Sequence, residues 1–168
     1  MITPVHSTFN EVLEAELAAV GRYRDTDRIV RMRADAATAL IGLLAESRAS
    51  GVPMTPISGF RSVEYQAGLF QKAIIKHGSE EAAGRWVARP GYSEHHTGLA
   101  VDLGAEQEPA RDCETSFEET RAFAWLNQNA GRFGFELSYP RGNARGINYE
   151  PWHWRFVGTP AAKLIFEP

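Results

Sequence analysis

The sequence predicts an α+β fold in which helices pack around a small central antiparallel sheet. In several segments apolar residues recur at intervals of three and four, the spacing that places them on one face of a helix. Three other segments are short, apolar or aromatic, and bounded by glycines or polar loops, as strands are; they cover residues 99–103, 135–139 and 152–157. No internal repeat or linker is visible, so the 168 residues fit one domain that can bury its core without disulfides.

The N-terminal part, about residues 8–50, is expected to be helical. A short helix is predicted over 11–17, closed by Gly21. Asp27 is a candidate N-cap for a longer helix that ends near Gly51, before Pro53. Its apolar stripe would be Val30, Ala34, Ala37, Ile41 and Leu44.

The middle of the chain predicts a short extended segment at 54–58 and a second long helix. Ser62 is a plausible N-cap for a helix over 63–76, and Gly78 would end it. A further short helix and a turn are expected between 79 and 91.

Around the first predicted strand, at 99–103, the spacing of two polar residues is informative. Seven residues separate His95 from Asp102, an odd number that would put them on opposite faces of one regular strand. His95 is therefore expected in the loop before the strand, which begins after Gly98.

After this strand, Ser116 and Glu119 have the spacing of a capping box, so we expect them to open a helix that ends near Gly131. A strand over 135–139, a glycine- and arginine-bearing loop over 140–148 and an aromatic strand over 152–157 complete the predicted elements.

Composition excludes several classes of function. The net charge of −3, with both signs interspersed, offers no basic face for nucleic acid. Cys113 is the only cysteine, so neither an intramolecular disulfide nor a thiolate zinc site is expected. No stretch approaches the ~18 apolar residues of a membrane span, and the first residues lack the pattern of a signal peptide. The compartment is left open by that absence, and a cytoplasmic location stays an alternative.

Two histidines stand close to carboxylates in segments rich in glycine and aromatic residues. His95 precedes Asp102, and His153 follows Glu150. Three protein ligands, an open position for water and a carboxylate base are the parts of a catalytic zinc site. Glu150 and His153 do not form the helical zinc motif, and spacing alone leaves a metal site and ordinary structural histidines equally open. Surface or satisfied core positions are expected for the other histidines, which are His6, His77 and His96.

Three ordered motifs carry a resemblance to a known family. The run S-x-H-x-x-G-x-A-x-D at 93–102, followed by E-P-W-H at 150–153, resembles the paired signature of the D-alanyl-D-alanine carboxypeptidases of the VanY type. Upstream, S-G-F-R-S at 58–62 with Gln66 resembles the substrate-side motif of that family. The likeness covers about residues 54–158, and the first fifty residues carry no such signal. Related architectures occur in lysostaphin-type peptidases and the hedgehog domain.

The resemblance implies a role for each matching residue. His95, Asp102 and His153 would hold one Zn²⁺ per chain, with Glu150 as the general base and Arg61 stabilising charge on the polarised carbonyl. The residues implied to bind the end of the peptide are Ser93, Gln66 and Tyr139.

The implied activity is removal of the terminal D-Ala from peptidoglycan stem peptides or precursors, by a single peptidase domain over residues 1–168. Alternatives within the superfamily are an L,D-carboxypeptidase, a D-Ala-D-Ala dipeptidase and a phage-type endopeptidase. An alternative from another class is a metal module that binds peptidoglycan without cutting it, although such a module has no use for Glu150 or Arg61. The substrate implies the periplasm or cell envelope, whereas the oligomeric state cannot be inferred.

Overall fold

The structure is a computed structural model that describes residues 8–167. Its centre is a four-stranded antiparallel sheet with the strand order β3-β4-β6-β5. The strands are β3 (Met54–Ser58), β4 (Ala100–Ala105), β5 (Phe135–Leu137) and β6 (His153–Phe156). The three predicted strands are confirmed, and the extended segment at 54–58 joins the same sheet as its edge strand.

Within residues 8–167, a hairpin and five α-helices surround this sheet. The hairpin pairs β1 with β2, which are Leu17–Arg22 and Ile29–Arg33. The helices are α1 (Ala34–Ala49), α2 (Val63–His77), α3 (Glu80–Ala83), α4 (Arg121–Asn129) and α5 (Pro160–Phe166). The α+β fold with a small antiparallel sheet is thus confirmed.

The prediction for the N-terminal part was wrong in its first half. Only Glu14–Glu16 forms a helical turn, of the 3-10 type, and strand β1 follows it. Val30 and Met32 are buried on alternate positions of β2, a period-two pattern that pairing with β1 stabilises. Asp27 consequently lies in the exposed hairpin loop rather than at a helix cap.

The ends of the long helices follow the predicted signals. α1 ends at Ala49 with Ser50 as its C-cap, and Gly51 follows with a φ of 73°. At the start of α2 the Ser62 hydroxyl accepts a hydrogen bond from the Tyr65 amide (3.0 Å), and Gly78 ends the helix with a φ of 83°. Glycine at these positions avoids the steric cost of the left-handed conformation.

Two C-terminal expectations were incomplete. Ser116 and Glu119 lie inside a 3-10 turn, and Thr120 caps α4 instead by accepting a hydrogen bond from the Phe123 amide (3.1 Å). Glu119 pairs with Arg111 (2.7 Å), so it is unavailable for a capping box. Helix α5 was not predicted, although Thr159 followed by a proline is a typical N-terminal signal.

One continuous apolar cluster connects α1 and α4 with the hairpin and with one face of the sheet, where Val101, Leu103 and Trp154 lie. Its most deeply buried large side chains are Met32, Leu40, Leu43, Leu99, Leu103, Phe117 and Leu126. This rigid support positions the ends of β4 and β6, where the candidate site lies. Between residues 8 and 167 none of the helices has the length and apolar character needed to cross a bilayer.

A close backbone approach at Gly59 gives a testable stability difference. A Cβ at this position would lie 2.2 Å from the carbonyl oxygen of Arg31, whereas a Cβ at Gly68, inside α2, would meet no atom within 4 Å. Gly59→Ala is expected to lower the free energy of unfolding by ~1–3 kcal/mol, because the strand backbones must move apart. Gly68→Ala, the matched control, is expected to raise it by up to ~1 kcal/mol.

Urea denaturation of the two variants measures both values. A Gly59→Ala variant as stable as the parent protein would contradict the close packing of these two backbones.

Candidate active site

The three candidate ligands come from adjacent elements of the sheet. Asp102 lies inside β4 and pairs with His153, the first residue of β6. His95 lies in a 3-10 turn, Glu94–Thr97, just before β4, as the odd spacing predicted. One ligand atom of each residue lies within 4.8 Å of the others, and all three residues are buried.

Hydrogen bonding determines which nitrogen His95 presents. Its Nδ1 donates to the Gly59 carbonyl oxygen at 2.6 Å, which leaves Nε2 unprotonated and 3.3 Å from Asp102 Oδ2. Ser93 supports the turn because its hydroxyl accepts from the His95 amide (3.3 Å), and Gly98 ends the turn with a φ of 67°. The S-x-H-x-x-G part of the motif therefore contains the residues that begin and end this turn.

The ring of His153 lies between two carboxylates. Its Nδ1 is 2.9 Å from Asp102 Oδ1, and its Nε2 is 3.1 Å from Glu94 Oε2. Tyr139 stacks on the ring, with centroids 4.8 Å apart and an angle of 28° between the planes. Sequence reasoning missed Glu94; its one signal was a carboxylate directly next to the candidate ligand His95.

Neighbouring positively charged groups favour the ionised form of both carboxylates in the cluster. Burial opposes ionisation of Glu94, but His153 and Arg155 outweigh it and lower its pKa to about 2. Burial likewise opposes ionisation of Asp102, yet His95 and Arg61 hold its pKa well below the usual range. Both carboxylates are therefore ionised at neutral pH.

The pKa values of the two histidines are shifted in opposite directions. Burial, followed by the charge of Arg61, lowers the pKa of His95 to about 4. For His153, burial acts to lower the pKa, but hydrogen bonds to Asp102 and Glu94 raise it to about 10. In the metal-free protein His153 therefore carries the positive charge that balances the carboxylates.

The donor set fits zinc. Two imidazoles and one carboxylate are common zinc ligands, and metal–ligand distances of ~2.0–2.2 Å bring the donor atoms of one ion to within about 3.5 Å of each other. The 3.3 Å between His95 Nε2 and Asp102 Oδ2, and the 2.9 Å between His153 Nδ1 and Asp102 Oδ1, lie within that spacing, and each histidine faces a different oxygen of Asp102. One ligand atom from each residue lies within 4.8 Å of the others, so the side chains would move closer together on binding an ion. Zinc would replace the proton on His153 Nδ1.

Glu150 lies next to the three candidate ligands without belonging to their cluster. Its Oε2 is 3.9 Å from His153 Nδ1, and its amide donates to the Tyr139 carbonyl oxygen at 3.2 Å. Burial, with the charges of Asp102 and Glu94, raises the pKa of Glu150 to about 8. A cation held by the three ligands would lower that pKa, because it favours the carboxylate form.

Arg61 joins the substrate-side motif to the cluster. Its guanidinium forms an ion pair with Asp102, and its Nε donates to Ser58 Oγ at 2.8 Å. Its backbone is fixed as well, because its amide donates to the His95 carbonyl oxygen (3.2 Å) and its carbonyl oxygen accepts from His96 Nδ1 (2.7 Å). His96 is thus a buried, satisfied structural histidine, as expected.

A cleft of about 470 Å³ opens onto these groups. It is lined by all eight residues assigned from the motifs, namely Arg61, Gln66, Ser93, His95, Asp102, Tyr139, Glu150 and His153. The amide nitrogen of Gln66 is already used within the fold, since Nε2 donates to the Ala88 carbonyl oxygen at 2.8 Å. Its buried Oε1 has no hydrogen-bond partner in the described part of the chain.

The remaining polar residues singled out from sequence are peripheral. Cys113 is exposed in a loop at the cleft wall, and the ring of His77 stacks on Trp86. His6 lies outside the described residues.

Comparison with known proteins identifies the family. The sequence model of the VanY family, described as D-alanyl-D-alanine carboxypeptidase, matches residues 29–159. The putative carboxypeptidase YodJ of Bacillus subtilis is 36% identical over 80% of this chain and 49% of its own length.

Two solved structures are similar in fold. The LdcB LD-carboxypeptidase is 31% identical, with a TM-score of 0.76 over 90% of this chain and 72% of that one. A vancomycin resistance D,D-pentapeptidase VanY, solved in complex with Zn(II), is also 31% identical, with a TM-score of 0.67 over 85% of this chain and 82% of that one.

The chain spans about half the length of the curated relatives YodJ and the Enterococcus faecalis D-alanyl-D-alanine carboxypeptidase. The match to the family nevertheless covers most of the 168 residues and includes the whole ligand cluster with its cleft. On these grounds the protein belongs to the VanY family of D-alanyl-D-alanine carboxypeptidases.

Proposed function

We propose that this protein is a zinc-dependent D,D-carboxypeptidase that removes the terminal D-Ala from peptidoglycan stem peptides or precursors. One zinc per chain would be held by His95, Asp102 and His153. The observation that supports this most directly is that Glu150 and Arg61 line the same cleft as the three candidate ligands. A module that only binds would need neither a base nor a second charge beside the ligands.

Each residue has a chemical task in this proposal. Zinc would supply a Lewis acid and a bound water of lowered pKa. Glu150 would take a proton from that water and return it to the leaving amine, as a general acid–base group. Arg61, permanently charged and rigidly held, would stabilise the negative charge that develops on the scissile carbonyl oxygen.

Specificity for a chain end would come from groups around the cluster. Ser93 and Tyr139 flank the two histidines and line the cleft, and Gln66 contributes a buried oxygen that has no hydrogen-bond partner among residues 8–167. A D-Ala carboxylate placed near the Ser93 and Tyr139 hydroxyls and the Arg61 guanidinium would gain charge-assisted hydrogen bonds. The Gln66 oxygen can only accept, so it suits an N–H of the peptide rather than this carboxylate.

The main competing activity is that of an L,D-carboxypeptidase, which the similarity to LdcB favours. The family description favours the D,D activity. Release of an intact D-Ala-D-Ala dipeptide, or cleavage inside a cross-link, would instead indicate a dipeptidase or an endopeptidase.

Mass analysis of defined muropeptides after incubation with the zinc-loaded protein separates these activities. We expect pentapeptides ending in D-Ala-D-Ala to lose the mass of one alanine while tetrapeptides stay intact. Loss of alanine from tetrapeptides alone would replace the proposal by the L,D activity, and no turnover of any muropeptide would favour the binding module. With this substrate class, the proposed activity would be expected in the periplasm or cell envelope.

Blocking the peptide's free carboxylate should strongly reduce turnover. Peptides ending in D-Ala-D-Ala amide are expected to react at least ~10-fold more slowly than the free acids, because buried donors left unmatched cost ~1–3 kcal/mol each. Arg61→Lys should also be poorly tolerated, since an ammonium cannot reproduce the planar guanidinium. Steady-state kinetics on the paired peptides measures both effects, and equal rates on free and amidated peptides would contradict recognition of a chain end.

A further inference from the structure

The cleft extends well beyond the candidate ligands, along α2. Between Gln66 and Lys76 the helix advances ~15 Å, and both residues line the cleft. An extended peptide covers ~3.3–3.6 Å per residue, so this length accommodates about four residues. The same wall includes Leu69, Lys72, Ala73, His77, Trp86 and Val87.

This wall is positively charged and its charge is uncompensated. Lys72 and Lys76 are one turn apart on α2, so their ammonium groups share one face. Within residues 8–167 neither lysine forms an ion pair, whereas Arg85 and Arg89 nearby pair with carboxylates. Apart from Asp102 and Glu150 at the cluster, Glu114 is the only acidic residue that the described part of the chain adds to the lining.

We propose that this lysine-bearing wall is a subsite for an acidic residue of the peptide, upstream of the bond that is cut. The inference rests on the proposed carboxypeptidase function, because it needs the peptide's C-terminus at the ligand cluster. Lys72 lies six residues, or ~9 Å, beyond Gln66 along α2, which corresponds to about three residues of extended peptide.

The test uses two peptides ending in D-Ala-D-Ala that differ only by Glu or Gln three residues upstream of the cut bond. In the variant Lys72→Ala/Lys76→Ala, we expect KM for the Glu peptide to rise ~3–10-fold, toward the KM for the Gln peptide, while kcat is unchanged. The expected change is modest and both lysines are replaced, because each exposed charge pair contributes little alone. Lys163→Ala, on α5, is the matched control. The same KM change with both peptides, or none, would overturn the subsite.

Calorimetric titration of both peptides into parent and variant proteins keeps the subsite testable without turnover. If no peptide is cut, the carboxypeptidase proposal fails, while a selective loss of affinity for the Glu peptide still supports the subsite. Equal affinities throughout would reject it.

A different observation concerns the support of His153. The two oxygens of the Glu94 carboxylate have separate partners: Oε2 faces His153 Nε2 at 3.1 Å, and Oε1 accepts from Arg155 (2.8 Å) and Arg145 (3.3 Å). Arg155 is two residues from His153 on β6, so both side chains project from one face of the strand. Arg155 is held in turn by Glu136 at 2.7 Å.

We infer that Glu94 is a positioning residue for the metal site. As an acceptor at Nε2 it keeps the ring proton there, and it thereby presents the Nδ1 lone pair of His153 on the side of Asp102. Such carboxylate–histidine pairs orient the ligand and increase its basicity, and their loss typically lowers metal affinity ~10–100-fold. The two arginines prevent the carboxylate from turning away.

The zinc dissociation constant, measured by competition with a chromophoric chelator, tests this inference. Glu94→Gln keeps the shape but offers one acceptor oxygen in place of two, so we expect zinc binding to weaken ~10–100-fold. Glu136→Gln, which removes the outer partner of Arg155, is the matched control and should bind zinc like the parent. If Glu94→Gln binds zinc within twofold of the parent while its circular dichroism is unchanged, Glu94 only stabilises the fold.

The failure of this inference differs from failure of the metal site itself. If the metal site itself is wrong, His153→Ala retains zinc. If only the role of Glu94 is wrong, His153→Ala loses zinc while Glu94→Gln keeps it.

Discussion

Replacing Glu150 with Gln is expected to lower kcat ~10²–10⁴-fold while zinc stays bound and the fold is unchanged. Glu150 lies 3.9 Å from His153 Nδ1 but outside the ligand cluster, so its carboxylate would be placed to take a proton from a water bound beside the ligands. An amide of the same shape cannot accept that proton. Steady-state kinetics with zinc analysis of the same sample measures both quantities.

Glu114→Gln provides the matched control, because Glu114 is a carboxylate of the same cleft that lies outside the cluster. We expect this control to keep kcat within about twofold of the parent. Should Glu150→Gln retain activity to the same degree, another group is the base. Loss of zinc together with activity would instead show that Glu150 is a ligand.

Removing any one candidate ligand is expected to abolish both zinc binding and activity. His95→Ala, Asp102→Ala and His153→Ala should each reduce the zinc content from about one ion per chain to near zero after dialysis. The reason is that a catalytic zinc has only three protein ligands, and two ligands rarely retain it against water. Elemental analysis of purified variants gives the stoichiometry directly.

His77→Ala is a suitable control for the zinc content, because His77 stacks on Trp86 and lies outside the ligand cluster. Circular dichroism must show that each variant is folded, since Asp102 also holds Arg61 and His153 in place. Full zinc occupancy in all three folded variants would end the assignment of this site.

The local parts of the fold were largely predictable from sequence. Ser62 and Gly78 predicted both ends of α2, and the strands β4 and β6 were recognised from their composition. Such signals can be read because the cap and the helix that it stabilises are neighbours in the chain. Three motifs in order also selected the residues that the structure brings to one cleft.

The hairpin of β1 and β2 shows where prediction from local sequence patterns failed, because a helix was expected in this part of the chain. Val30 fits a helical stripe by spacing, but in the structure it alternates with exposed positions of a strand. Pairing between strands 17–22 and 29–33 decides the outcome, and such contacts outweigh modest helix propensities. The same limit applies to α4, where Thr120 rather than Ser116 caps the helix.

By itself the sequence determined the family, the three segments that carry the candidate site, and the residue types available for metal and proton chemistry. Only the tertiary structure decided that Glu94 faces His153, that Gln66 donates to the Ala88 carbonyl oxygen, and that two lysines with no ion pair inside residues 8–167 line the cleft. The physical reason is distance along the chain: Glu94 and His153 are separated by 59 residues, so their contact depends on sheet register and burial rather than on any local pattern.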